Sequence, residues 1–326
     1  MTAAATTAVK VRALRAEAQD VVSLELCAAD GSALAPQSPG AHLDVHLPNG
    51  LVRSYSLCGS LASEGERGSY RIAVGRSAAS RGGSSYVHEH VRVGDTLRIG
   101  APRNHFRLDE EARQVVLIAG GIGITPLLAM ARQCARERRD WRLHYCVRTG
   151  ARAAFIDELR ALEGGQDRVT VWCSADGTRF DATSVLRPQL PSQSQVYCCG
   201  SPSLMNAVEQ AISWLPEHHR HFERFAGSDT PLPGTGAERS FTVHLDRSQK
   251  TLEVPAGRSL LECLESIGMS VPFACREGLC GSCETPVLDG CVEHRDFVLA
   301  AADRALHQRM MVCVSRAADR HLTLDL

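Results

Sequence analysis

Four cysteines near the end of the chain are spaced for metal chemistry. Cys275, Cys280 and Cys283 follow the pattern C-x4-C-x2-C, and Cys313 stands further on in MMVCVSRA. Four thiolates at this spacing are the ligand set of a [2Fe–2S] cluster, shared between two irons. Gly278 and Gly281 suit the task. A loop wrapped closely on a cluster needs backbone conformations open to glycine, and its N–H groups can then point at the sulfurs. The competing assignment is a structural zinc site, which prefers paired C-x2-C knuckles or Cys/His pairs. Only one C-x2-C pair is present, and Cys291 and His294 are the nearby residues that would have to complete a zinc set.

A second constellation is Ala119-Gly-Gly-Ile-Gly-Ile-Thr-Pro126, between the apolar run VVLIAG and a helix expected over 126–138. Gly120, Gly121 and Gly123 would let the backbone approach a pyrophosphate at a helix N-terminus of positive potential. A simple tight turn is the bland alternative. Thr125 and Pro126 sharpen the motif, since proline suits a first helical position. Cys199 and Gly200, in Tyr197-Cys-Cys-Gly-Ser-Pro202, end a later strand just before another helix. The loop after VTVWCS is Ala175-Asp176-Gly177. An acid there would repel a 2′-phosphate and bond a ribose hydroxyl, which favours a dinucleotide without that phosphate. Arg148 and Arg179 are the residues that would reverse this preference.

A third group is Arg53-Ser54-Tyr55-Ser56-Leu57. Arg can pair with a phosphate, Tyr can pack on a ring system and Ser56 can hydrogen-bond its edge. By itself the pattern is an ordinary strand. Arg81-Gly-Gly83-Ser84-Ser85 precedes an expected short helix, SSYVHEH. Amides at its start, the two hydroxyls and Arg81 would hold a terminal phosphate.

These residues need elements to position them. The chain has 326 residues, 44% hydrophobic and 22% charged, with a formal net charge of −1. That composition fits a soluble protein of several domains. It gives no bulk electrostatic case for nucleic acid or membrane. No apolar run reaches a membrane span, and the N-terminus has no apolar h-region, so a cytoplasmic protein is expected. The 13 cysteines are odd in number and scattered. A disulfide framework is not expected in such a chain, and Cys27, Cys146 and Cys173 read as packing. Short runs such as VVSLELC, HLDVHL, VRSYSLC, YRIAVGR and TLRIG indicate a β-barrel domain over 1–106. Strand–helix alternation indicates an α/β domain with a parallel sheet over 107–227. A Gly-, Pro- and Thr-rich linker is expected over 228–240. The last domain, 241–326, opens with a hairpin of FTVHLD and KTLEVP. Ser259 and Glu262 then form a capping box for LLECLESIG, which Gly268 ends.

The segment 241–326 closely resembles the plant-type ferredoxin family, which implies a β-grasp fold. GGIGITP and YCCGSP resemble the nicotinamide-binding half of the ferredoxin–NADP reductase superfamily, in which the second motif usually reads C-G-P. Here Ser201 intervenes. That resemblance implies that Cys199 lies near the nicotinamide ring. R-x-Y-S-L resembles the superfamily's flavin motif, and the segment from Arg81 to Ser85 looks like the phthalate dioxygenase reductase branch, which uses FMN rather than FAD. Phe225, in HFERFAG, matches the aromatic that stacks on the flavin; a core phenylalanine is the bland alternative. The order flavin, nicotinamide, ferredoxin resembles the phthalate dioxygenase reductase family over the whole chain.

The resemblance implies the reductase component of a Rieske-type aromatic oxygenase. NADH would give a hydride from nicotinamide C4 to flavin N5. The flavin would pass electrons singly to the cluster, and the cluster to a terminal oxygenase docked at the loop 276–282. Thr125, Ser56 and Cys199 would position the rings, with no acid or base required. Two alternatives stand beside it. One is a flavin/iron–sulfur reductase serving a cytochrome or another monooxygenase. The other is an electron carrier with a vestigial flavin half, against which the intact motifs argue.

Overall fold

The computed structural model describes residues 6–59, 68–76, 82–162, 164–188, 190–225 and 239–326, with only the backbone of Ala301. Thr6–Phe225 forms one compact unit, and 239–326 belongs to a second. The expected linker therefore lies, apart from its last two residues, outside the described residues, as does Arg81.

The first unit opens with β1 (Thr7–Ala18), β2 (Val21–Ala28), β3 (His42–His46), β4 (Val52–Ser56) and β5 (Tyr70–Gly75), then α1 (Gly83–His90) and β6 (Thr96–Ile99). The strands pair antiparallel in the order β4-β3-β6-β1-β2-β5. A bridge between Leu57 and Ile72 brings the two outer strands together and closes the sheet into a barrel. Leu24, Leu26, Leu43, Ile72 and Leu97 fill its interior. β1 is the strand that the sequence pattern hides. It is rich in Ala and Arg, and two shifts, between Val11 and Ala13 and between Ala16 and Ala18, break its register with β2. Bulges of this kind destroy the period of two on which strand reading rests.

The chain continues through β7 (Gln114–Gly120), α2 (Ile124–Arg136), β8 (Asp140–Val147), α3 (Ile156–Ala161), α4 (Gly165–Arg168), β9 (Val169–Cys173), α5 (Ala182–Leu186), β10 (Gln195–Cys199), α6 (Pro202–Ala211) and β11 (Arg220–Glu223). These five strands form a parallel sheet in the order β11-β10-β7-β8-β9. β7 shows why its run is apolar throughout. Val115, Leu117 and Ala119 pack with α2, whereas Val116 and Ile118 pack with α5 and α6. A strand covered on both faces has no polar side. The helix after the glycine loop begins at Ile124, not Pro126, because Gly121–Gly123 already forms a 3-10 turn. Pro126 is its third residue, where an N–H would have no partner within the helix.

The second unit contains β12 (Phe241–Leu245), β13 (Lys250–Val254), α7 (Leu260–Ser266), β14 (Glu284–Asp289), β15 (Val292–Glu293), α8 (Ala301–Leu306), β16 (Arg309–Met311), β17 (Arg316–Ala317) and β18 (His321–Leu324). The main sheet runs β13-β12-β18-β14-β16, and β12 pairs parallel with β18 beside the expected β12–β13 hairpin. α7 carries both hydrogen bonds of the Ser259/Glu262 capping box and stops before Gly268, whose φ is +75°. Among the described residues no helix is long and apolar enough to cross a membrane.

Candidate functional site

The glycine loop and the end of β10 fit together because neither carries a side chain at the contact. A Cβ on Gly123 would lie 2.2 Å from the Cys199 carbonyl oxygen, and one on Gly200 would lie 2.9 Å from Gly120 Cα. Gly121 differs: its φ is +52°, and among the described residues nothing stands within 4 Å of where a Cβ would be. Two glycines of the loop are thus demanded by packing against Cys199–Gly200, and the third opens onto free space. Tyr145 donates its hydroxyl to the Gly121 carbonyl at 3.2 Å, and Thr125 Oγ1 donates to the Ile122 carbonyl at 2.9 Å. Ile122 packs on Gly75 of the barrel, 3.3 Å from an added Cβ there. Ser201, the departure from C-G-P, serves as the N-cap of α6: its Oγ accepts from Leu204 N at 3.4 Å, with Pro202 next.

Cys199 is fully buried, and burial pushes its thiol well above the ordinary range, with the nearby Glu223 adding to the rise. Glu223 is its neighbour in register on β11. Burial also pushes the Glu223 carboxyl up to about 8, against a smaller opposing pull from the Ser56 hydroxyl. Ser56 Oγ and Glu223 Oε2 are both buried, and among the described residues neither makes a hydrogen bond of ordinary geometry. Ser56, Cys199 and Glu223 therefore converge from barrel and parallel sheet on one place. Glu223 is the residue that sequence reading missed. It lies two positions before Phe225, in a strand of four residues too short for any period to mark it.

On β4 the side chains alternate. Ser54 pairs across the strands with Asp44, donating to Oδ1 at 2.6 Å, and Arg103 donates to Asp44 Oδ2 at 2.8 Å. Its hydroxyl is engaged away from Arg53 and Tyr55. Burial pushes the Tyr55 phenol up to about 12, opposed by Arg53, so it stays protonated at neutral pH. Arg53 lies across the first turn of α1. A Cβ on Gly83 would stand 2.7 Å from Arg53 Cγ and 2.8 Å from Nε, and Gly82 takes φ +88° to start the helix. Glycine at 83 makes room for a guanidinium beside helix N-terminal amides, a donor set that fits a flavin's terminal phosphate. Ser84 and Ser85 follow in the same turn. Phe225 is 41% exposed, so it is no core residue. Asp176 is exposed in the turn Ser174–Asp176, and Ala175 N donates to the Arg148 carbonyl at 2.9 Å.

In the second unit the four cysteine sulfurs form one connected set. The charge on Cys275 is governed first by Cys280 and Cys313, and that on Cys283 by Cys313. This sharing pulls Cys275 and Cys283 below the ordinary thiol range and pushes Cys280 and Cys313 above it. Backbone N–H groups of Glu277 and Leu279 donate to Cys275 Sγ at 3.3 and 3.4 Å. Gly278 and Gly281 both take positive φ, and a Cβ on Gly278 would lie 3.0 Å from Asp296 Cα. Asp296, unmarked in the sequence, accepts from Val298 N and Leu299 N at 3.0 and 2.8 Å and backs this loop. Four thiols with amides aimed at sulfur fit a [2Fe–2S] cluster. Cys291 is exposed and His294 faces Asp296, so neither joins them. Among the described residues no group of three or more His, Cys, Asp or Glu is arranged for a single metal ion.

The chain matches the model of an oxidoreductase NAD-binding domain over 117–210 and of a 2Fe-2S iron-sulfur cluster binding domain over 243–318. It is 42% identical over 320 residues to a putative toluene-4-sulfonate monooxygenase system reductase subunit of Comamonas testosteroni, covering 98% of each. It is 39% identical to the solved phthalate dioxygenase reductase, described as a modular structure for electron transfer from pyridine nucleotides to [2Fe–2S], with a TM-score of 0.70 and 98% of each chain covered. It also matches an intact type IV self-sufficient cytochrome P450 monooxygenase at 37% identity and a TM-score of 0.90, over 98% of this chain but only 41% of that one. Fold and domains define an NAD-dependent iron–sulfur oxidoreductase. More narrowly, the chain belongs to the phthalate dioxygenase reductase family. Its matched domains are those that bind NAD and a 2Fe-2S cluster.

Proposed function

We propose that this protein is the reductase component of a Rieske-type aromatic oxygenase, taking electrons from NADH and delivering them to a separate, cytoplasmic terminal oxygenase. The observation that carries this reading is the convergence of Ser56, from the flavin strand, with Cys199 and Glu223 at the mouth of the glycine loop. Bound FMN takes up an electron pair as hydride and releases it one electron at a time, which a [2Fe–2S] cluster requires. The protein's own part is positioning. Gly120, Gly121 and Gly123, at the start of α2, receive the dinucleotide pyrophosphate. Asp176 bonds the adenosine ribose and disfavours a 2′-phosphate. Arg53, Gly83, Ser84, Ser85 and Arg81 hold the FMN phosphate; Tyr55 packs on the ring system, and Ser56 bonds its edge. Thr125, Cys199 and Gly200 seat the nicotinamide, and Phe225 stacks on the flavin. Cys275, Cys280, Cys283 and Cys313 hold the irons, and Arg276 lies exposed on their loop for the partner.

A second reading has a haem protein as the acceptor, and the likeness to the self-sufficient P450 favours it. Reconstitution separates the two. The reduced protein is mixed anaerobically with a Rieske oxygenase or with a P450 haem domain, and oxidation of the reductase cluster is followed. Faster transfer to the Rieske protein supports the proposal, and faster transfer to haem replaces it.

A further inference from the structure

We propose that Arg71, Glu158 and Arg132 form a positioning circuit that fixes the flavin strand against the glycine-loop helix and so sets the geometry of hydride transfer. The inference rests on the nicotinamide–flavin reading above. Arg71 stands on β5 and is 3% exposed. Its Nη2 donates at 2.7 Å to Glu17 on β1, and its Nη1 donates at 2.7 Å to Glu158 on α3. The other Glu158 oxygen accepts from Arg132 Nη2 on α2. Arg132 Nη1 donates at 3.1 Å to the Cys58 carbonyl, and the Cys58 N–H donates at 2.8 Å to the Arg71 carbonyl. The circuit closes on itself, from Cys58 through Arg71, Glu158 and Arg132 back to Cys58.

Its two ends are the ones that matter for hydride transfer. Cys58 lies two residues beyond Ser56, and Arg132 stands on the same rigid helix whose first turn carries Thr125. Gly59 has φ +86°, and a Cβ there would lie 2.6 Å from Arg132 Nη1, so glycine leaves the path to Cys58 open. Phe155, the residue before α3, places its ring 4.6 Å below the Arg71 guanidinium. Two cations face two carboxylates. Burial works against the Arg71 charge, but Glu158 and Glu17 outweigh it and keep the guanidinium protonated. Removing Glu158 leaves the buried Arg71 with Glu17 alone and unties β5 from α2, which lets the barrel and the helix shift apart. A displacement of one ångström at a reacting pair costs about 100-fold in rate.

The test compares the full-length holoprotein with Glu158→Gln, Arg132→Gln and the double variant. Stopped-flow reduction by NADH gives the saturated hydride step, its deuterium isotope effect and the NADH half-saturation. Amide hydrogen exchange reports on 57–59 and 122–125. The single variants are expected to slow the saturated step about 10- to 100-fold. Half-saturation, FMN content and the cluster spectrum should change little, and exchange should rise at both segments. The double variant should be no slower than the worse single one, since one circuit breaks only once. A hydride step within twofold of wild type, or multiplying losses in the double variant, overturns the proposal while leaving the functional reading intact. Wild-type protein that NADH does not reduce overturns that reading and the circuit with it. Should Glu158→Gln not fold, Arg132→Gln, at a half-buried position, carries the same comparison.

Discussion

Gly120 and Gly200 meet backbone to backbone, so that a Cβ on Gly200 would stand 2.9 Å from Gly120 Cα and 3.0 Å from its nitrogen. Backbone atoms cannot turn aside as a side chain can, and overpacking of this kind costs about 1–3 kcal/mol. Gly200→Ala should therefore slow flavin reduction by NADH about tenfold or more. Gly123→Ala, aimed at the Cys199 carbonyl, should be worse. Gly121→Ala meets only its own positive φ and should be the mildest of the three. Stopped-flow reduction rates check the ranking, and equal losses would refute it.

Glu223 gives a pH signature. Its carboxyl is raised from 4.5 to about 8 by burial. Between those values the unfolded chain has lost the proton and the folded protein keeps it. Stability must then fall as pH rises from about 4.5 to about 8 and level off above. Glu223→Gln has no proton to lose, so its melting temperature should decline less over this range, by roughly 5 °C or more. Parallel melting profiles for the two proteins would count against the buried acid.

Arg53 and Gly83 make a linked pair at the flavin phosphate site. A charge-assisted hydrogen bond contributes about 1.5–3 kcal/mol, so Arg53→Ala should weaken FMN binding roughly 10- to 100-fold. Gly83→Ala should weaken it as well, because the new methyl displaces the arginine it does not replace. Fluorescence titration of flavin-stripped protein measures both. Unchanged affinity in Gly83→Ala would mean that Arg53 does not need its path over α1.

Cys280→Ser should remove the iron–sulfur absorption and end electron delivery to an acceptor oxygenase. Reduction of FMN by NADH should persist within about twofold, since those residues lie in the other unit. Loss of both would point to misfolding rather than to the missing ligand.

Much of this was legible in the chain itself. The cysteine spacing, the glycine loop and the Ser259 capping box are local, and local patterns survive in sequence. β1 was not, because two bulges erase its alternation. Glu223 was not, because its meaning lies in Ser56 and Cys199, each brought to it by a different sheet. Asp296 reads as an ordinary loop acid until Gly278 is seen resting on it. The glycine loop reads as room for a pyrophosphate, whereas two of its three glycines answer first to the neighbouring strand.

Anaerobic titration of the purified protein with NADH, followed by absorbance and low-temperature electron paramagnetic resonance, tests the central claim most directly. The account predicts bleaching of the flavin band and the appearance of a reduced [2Fe–2S] signal, with NADPH far slower. A flavin that bleaches while the cluster stays oxidised, or a cluster that NADH reduces in flavin-stripped protein, would contradict it.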